Sequence, residues 1–356
     1  FPMRWLFNTT KLLNFRTGLQ ATPDAVQYQQ RLDELVEAFT NYRLPVVVLK
    51  ELTVEEVCPI FERINSSGTK LSMFDLLVAA TWTPRFDLNS IAEDIAQALE
   101  SKGFEGIDPT TILKCLSAIH FDGLKKKQML GLRDLEEQTM QVLVKSTKDA
   151  MLRAVDVLST EFHIHNWDFL PYEAVLVILC YLYARHPTST PDRLIRIRQW
   201  FWRSAFSERY RVGGENFVTN DLAIVRSFVR DGGDADIFGA CPSASAFRNI
   251  EFRISNSRSR AFILALAARK PRNLTNGALI DTDEALSQFN KKQFHHVHPR
   301  AHIRRNEIDA NENVVANICM LAASENNSIS DSDPQSYLPK IIQTHGPSIN
   351  EILASN

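Results

Sequence analysis

The sequence lacks any pairing among its cysteines. Cys58, Cys115, Cys180, Cys241 and Cys319 are scattered with no short repeated spacing. That excludes a disulfide framework and a cysteine-based zinc site, and it fits a reducing, cytoplasmic setting. A long apolar run is also missing. The most hydrophobic stretch, Ala174 to Ala184, is too short to span a bilayer and reads as a core helix, so no membrane partner is expected. No period recurs, which excludes a solenoid. No signal peptide is visible, and the chain opens on Phe1 rather than Met, so a preceding segment is expected.

Net charge is nearly absent too. Lys and Arg number 40 against 42 Asp and Glu, for a formal charge of −2. A balanced total does not exclude a polyanion partner, because charges can segregate, and here they do. Between Arg248 and Arg305 twelve basic residues meet only Glu251, Asp281, Asp283 and Glu284. The last third therefore carries a cationic front suited to a polyanion. The 356 residues suffice for two or three domains, and 44% hydrophobic with 23% charged residues is ordinary for a soluble globular protein.

Most of the chain reads as helix, so the fold class is mainly α. Amphipathic patterns cover Ile91 to Leu99, Thr111 to Ile119, Leu132 to Val144, Asp149 to Leu158, Tyr172 to Ala184 and Pro191 to Phe206. Breaks are predicted at Gly103 to Gly106, His186 to Thr188 and Gly213-Gly214. The helix from Asp192 to Arg203 mixes arginines with Trp200, Phe201 and Trp202. Such a helix can grip nucleic acid, but more often it buries its aromatics and leaves its arginines in solvent. This region, 87–240, reads as a helical bundle.

The most distinctive stretch is Phe294-His295-His296-Val297-His298-Pro299. It is followed by Arg300, Arg304 and Arg305, then by Asn317-Ile318-Cys319-Met320-Leu321 and Asn326-Asn327-Ser328-Ile329-Ser330. Phosphodiester cleavage needs an imidazole to take a proton from water and a metal to neutralise charge at the phosphate. A basic surround holds the backbone in place. This pattern resembles the HNH (ββα-metal) nuclease superfamily, in the branch found in GmrSD-like restriction proteins. The resemblance puts His296 on the general base and His295 on the metal-ligand position before it. It puts Asn317 on the asparagine that braces the loop and Asn326 on the second metal-ligand position, on a helix. Arg300, Arg304 and Arg305 become candidate phosphate contacts. Three departures stand out: His295 where many relatives carry a carboxylate, Ala316 in place of glycine, and Asn326 where histidine is common elsewhere. Mg²⁺ is the ion the resemblance implies, while neutral donors suit Mn²⁺ or Ni²⁺ better. Asp331 and Asp333 read as caps of the following helix. Residues 241–356 are thus expected to form a C-terminal ββα-metal nuclease domain.

Residues 1–86 carry a second resemblance. Tyr42 to Leu49 reads as a buried strand, Thr53 with Glu56 as a capping box for a helix through Ile64, and Ser72 with Asp75 as the start of another. The segment from Ile60 to Trp82 is similar to the downstream half of the ParB-like domain that precedes the HNH unit in GmrSD-type proteins, and this stretch is read as a partial ParB-like α/β segment. The resemblance gives Asn65, Gly68 and Lys70, with Ser67, a place at a nucleotide- or nucleic-acid-binding loop. The composition of that loop is equally that of a helix C-cap and turn. The family's upstream Asp-Gly-Gln-Gln-Arg motif is absent; Gln29-Gln30-Arg31 is a partial match inside a helical pattern, so nucleotide use stays open.

Two functions follow from these readings. One is a metal-dependent endonuclease acting on DNA, RNA not being excluded, in bacterial restriction or phage defence. The other is a nucleic-acid-binding or regulatory protein with a degenerate HNH unit. A homo-oligomer is compatible with either.

Overall fold

The computed structural model describes residues 1–43, 72–82, 86–287 and 294–356, with isolated positions between 46 and 60. Leu44, Pro45, Val47 and Leu49 of the expected strand, Thr53 of the capping box, most of the helix behind it, the loop residues Asn65, Ser67, Gly68 and Lys70, and Lys291 and Lys292 lie outside the described residues. The chain divides into two compact units, Phe1–Arg63 and Ile64–Asn356.

In the first unit α1 (Thr9–Leu19) and α2 (Ala25–Thr40) pack together. Asn8 caps α1 by accepting from Lys11 N, and an Arg16–Asp33 ion pair joins the two helices at 2.7 Å. Gln29-Gln30-Arg31 lies within α2, as its helical surroundings predict.

The second unit is built mainly of helices. α3 (Met73–Thr81) starts at the expected capping box, with Ser72 Oγ accepting from Asp75 N and the Asp75 carboxylate accepting from Ser72 N. There follow α4 (Leu88–Glu100), α5 (Pro109–Phe121), α6 (Lys126–Gly131), α7 (Glu137–Phe162), α8 (Glu173–Arg185), α9 (Pro191–Phe206) and α10 (Gly214–Asp231). Asp87, Asp108 and Thr190 cap their helices with side-chain oxygens, and proline occupies the first turn of α5 and α9. α7 runs along α8, and α5 packs on both. The stretch Ala174 to Ala184 lies in α8, with every residue from Val175 to Tyr183 buried.

One expectation is corrected. The separate helices predicted at Leu132 to Val144 and Asp149 to Leu158 are a single 26-residue helix, α7, preceded by a 3₁₀ turn at Leu132–Asp134. The intervening Lys145-Ser146-Thr147-Lys148 contains neither glycine nor proline to stop a helix. Thr147 is buried there without penalty because its hydroxyl donates to Leu143 O at 2.8 Å. On α9, Trp200 and Phe201 are buried, Arg198 pairs with Glu161, and Arg196 donates to the carbonyls of Val229 and Arg230. This helix is committed to packing.

α11 (Ser257–Ala268) packs on α9 and on the β2 strand that follows later in the chain. α12 (Thr282–Ser287) precedes β1 (Phe294–His296), α13 (Arg300–Arg305), β2 (Ile318–Met320), α14 (Ala323–Ile329), α15 (Pro334–His345) and α16 (Ile349–Ser355). β1 and β2 are antiparallel, with Phe294, His295 and His296 opposite Met320, Cys319 and Ile318. Behind them Leu274, Cys319, Leu321, Ile329, Tyr337, Ile341, Ile349 and Ile352 form a buried cluster.

Candidate active site

Two short strands followed by a helix bring the singled-out residues together. β1 is too short to be stable alone. It is held by β2, and at one end by Phe294, whose ring meets Phe252 and Phe169 edge-on at centroid distances of 5.9 and 6.5 Å. Beyond β1 the chain turns through His298-Pro299 into α13, and Asn317 fixes that turn. Asn317 Oδ1 accepts from His298 N at 2.8 Å, and its Nδ2 donates to His298 O at 3.0 Å and Glu312 O at 2.9 Å. Its own carbonyl accepts from Val297 N. Asn317 is buried with all its side-chain polar atoms used, so it joins both sides of a loop that has little apolar content of its own.

His295 is buried, and its Nδ1 lies 2.5 Å from Asn326 Oδ1 on α14. Its Nε2 is buried without a hydrogen-bond partner. Burial disfavours the imidazolium and holds this histidine below its ordinary pKa, against the opposing hydrogen bond that Asn326 Oδ1 accepts from it. The Nδ1–Oδ1 contact sets one imidazole nitrogen and one amide oxygen side by side, two donor atoms of a kind that could share a divalent ion.

His296 is half-buried, and its Nε2 is 3.1 Å from Asn313 Oδ1. The amide of Asn313 is itself fixed, because its Nδ2 donates to Phe252 O at 2.7 Å while Phe252 N donates to Asn313 O. The amide oxygen therefore faces the ring, the hydrogen sits on His296 Nε2, and Nδ1 keeps its lone pair. Burial again lowers the pKa, opposed by the Asn313 bond and helped by the charge of Arg300. The bond to Asn313 thus favours one tautomer, and burial favours the neutral ring.

The three candidate phosphate arginines are all paired. Arg300 and Arg304 share the Glu312 carboxylate, at 3.1 Å for Arg300, and Arg305 pairs with Asp331 at 2.9 Å. The two guanidinium groups hold Glu312 below the usual carboxylate range, Arg304 contributing most. Asp333 caps α15 as expected, accepting from Gln335 N, whereas Asp331 turns to Arg305 and does not cap. His298 is exposed, and His302 lies on α13 near Asn306. Elsewhere in the cationic front, Arg258 pairs with Glu208 and Arg260 donates to Ile254 O and Leu170 O.

Two residues of the site gave no motif signal. Asn313 belongs to a loop of ordinary turn composition. Glu325, buried on α14, accepts from Leu274 N and Thr275 N at 3.0 and 2.8 Å, and from the Thr275 hydroxyl. A glutamate beside Asn326 in an expected helix reads as solvent-facing, and only the fold reveals the loop it holds.

No helix among the described residues is long and apolar enough to cross a membrane. No family model matches the chain, and no solved structure matches it. It is similar to the uncharacterized protein MJ0686 of Methanocaldococcus jannaschii, with 22% identity over 372 aligned positions. That alignment covers 96% of this chain and 60% of the relative, so the chain spans about three-fifths of the length of the curated protein it matches.

Proposed function

We propose that the C-terminal region is an HNH-type, metal-dependent endonuclease that cleaves DNA, with His296 as general base. The observation that carries this reading is the hydrogen bond between His296 and the fixed amide of Asn313. Asn313, held by Phe252, takes the Nε2 hydrogen and so favours a free lone pair on Nδ1, and burial lowers the pKa of the ring. Beside it on β1, His295 converges with Asn326.

His296 Nδ1 takes a proton from water, and the water oxygen attacks phosphorus as the P–O bond to the leaving 3′ oxygen breaks. Asn317 holds the turn after His296 and so limits how far the ring can move. His295 and Asn326 would hold a divalent ion, which would supply charge neutralisation at the phosphate and the leaving oxygen. Mg²⁺ is the ion implied by the resemblance; the neutral nitrogen and oxygen donors favour Mn²⁺ or Ni²⁺. Arg300, Arg304 and Arg305 would hold flanking phosphates by exchanging their carboxylate partners. Modified or foreign DNA, in restriction or phage defence, is the setting the resemblance suggests.

The test is a plasmid-nicking assay with Mg²⁺, Mn²⁺, Ni²⁺ or EDTA, comparing wild type with His296→Ala. Metal-dependent nicking that the variant loses supports the proposal, and equal nicking by both overturns the role of His296. The pairing of all three arginines with acids favours a second reading, nucleic-acid binding without cleavage. Salt-sensitive DNA binding with no nicking under any metal would support that instead.

A further inference from the structure

We propose that His163, His165 and Asp283 form a second divalent-metal site, suited to a borderline transition ion such as Zn²⁺. It ties the end of the helical bundle to the helix that leads toward β1, and it does not depend on the nuclease reading. The three ligand atoms come from places 118 residues apart in sequence (283 − 165 = 118) and lie within 4.8 Å of one another. His163 ends α7 in a left-handed conformation, with φ 56°. Ile164 N donates to Leu158 O, and the Ile164 side chain is fully buried, while the histidines on either side of it are half-buried. Asp283 lies in the first turn of α12, held by its backbone N donating to Asp281 Oδ1.

His165 Nε2 is 3.0 Å from Asp283 Oδ1, and His163 Nδ1 is 3.7 Å from the same atom. Four-coordinate zinc with bonds of about 2.0–2.1 Å sets its donor atoms roughly 3.3 Å apart. The two separations to Asp283 lie on either side of that value, and all three donor atoms lie within 4.8 Å of one another. A plain His–Asp ion pair explains the site less well. At 3.0 Å the His165 nitrogen is near the carboxylate, yet it is buried and makes no hydrogen bond. Two donors thus converge on the space between them and do not bond each other. Two imidazoles and one carboxylate select Zn²⁺ over Mg²⁺ or Ca²⁺, and the exposed side of Asp283 leaves room for water as a fourth ligand.

The experiment titrates Zn²⁺ into the chelator-stripped full chain, reading affinity by competition with a chromophoric chelator and Tm by thermal unfolding. Wild type is compared with His165→Ala, Asp283→Asn and, as control for the other metal position, His295→Ala. The expected result is a Zn²⁺-dependent rise in Tm for wild type and His295→Ala. His165→Ala and Asp283→Asn should bind this ion at least about tenfold more weakly. Asp283 is exposed, so its variant carries the test should His165→Ala fail to fold. The proposal is overturned if wild type binds no Zn²⁺, if all four proteins bind equally, or if only His295→Ala loses binding.

Discussion

The helical bundle and the C-terminal region treat buried polar groups in opposite ways. In the bundle the buried hydroxyls bond mostly within their own neighbourhood, as Thr147 does to Leu143 O, Ser204 to Phe201 O and Ser117 to Gly123 O. In the C-terminal region they join distant segments. Asn317 holds residues 298 and 312, Glu325 holds residues 274 and 275, and Asn273 Oδ1 accepts from Ala322 N. The bundle is organised by apolar packing, whereas the site is organised by hydrogen bonds across long loops. The same substitution should therefore cost far more in the second region than in the first.

The largest expected effect is chemical. His296→Ala should reduce nicking by about 10²–10⁴-fold, the usual contribution of a general base, while leaving the far-UV spectrum unchanged. A variant with wild-type rates would separate the buried polar network from catalysis. Next comes a pair that tests the comparison itself. Asn317→Ala should destabilise the chain by roughly 2–4 kcal/mol in urea unfolding, because it leaves His298 N and two carbonyls unsatisfied. Thr147→Val in the bundle should cost about 1 kcal/mol or less, since Leu143 O lies within a helix. Equal losses would break the contrast.

A smaller effect is expected at Tyr337, whose hydroxyl donates to Val297 O at 2.6 Å. Tyr337→Phe should lower stability by about 1 kcal/mol by the same measurement. The smallest effect is a displaced pH profile. Burial lowers the His296 pKa, so its neutral form persists below the ordinary imidazole value of about 6.5, and the acid limb of cleavage should lie below that pH. Asn313→Asp would place a negative charge beside Nε2, favour the imidazolium and move the limb upward. A limb that stays in place in the variant would remove Asn313 from the positioning of the base.

Helices and caps were legible in the sequence because their signals are local. Ser72 with Asp75, Thr190 with Pro191 and Asp333 with Pro334 each start a helix where their composition predicts one. The continuity of α7 was not legible, because a polar run inside a helix looks like a break until its neighbours are known. At the site, His295, His296, Asn317 and Asn326 stood out by pattern, and the fold brings His295 to Asn326 and Asn317 to the turn. Asn313 and Glu325 did not stand out, since their partners are the backbone of residues 252 and 274–275, far away in sequence. The cationic front is more balanced in the fold than residues 248–305 alone suggest, because Glu208, Glu312 and Asp331, outside that span, pair with its arginines.

Glu312, held between Arg300 and Arg304, acts as a built-in counterion. A phosphate arriving at these arginines would displace a tethered carboxylate in place of free salt ions. Because a tethered group is not released to solution, its displacement adds little mixing entropy. The salt dependence of DNA affinity should then be shallower than the number of arginines implies, and the exchange would make the contact readily reversible.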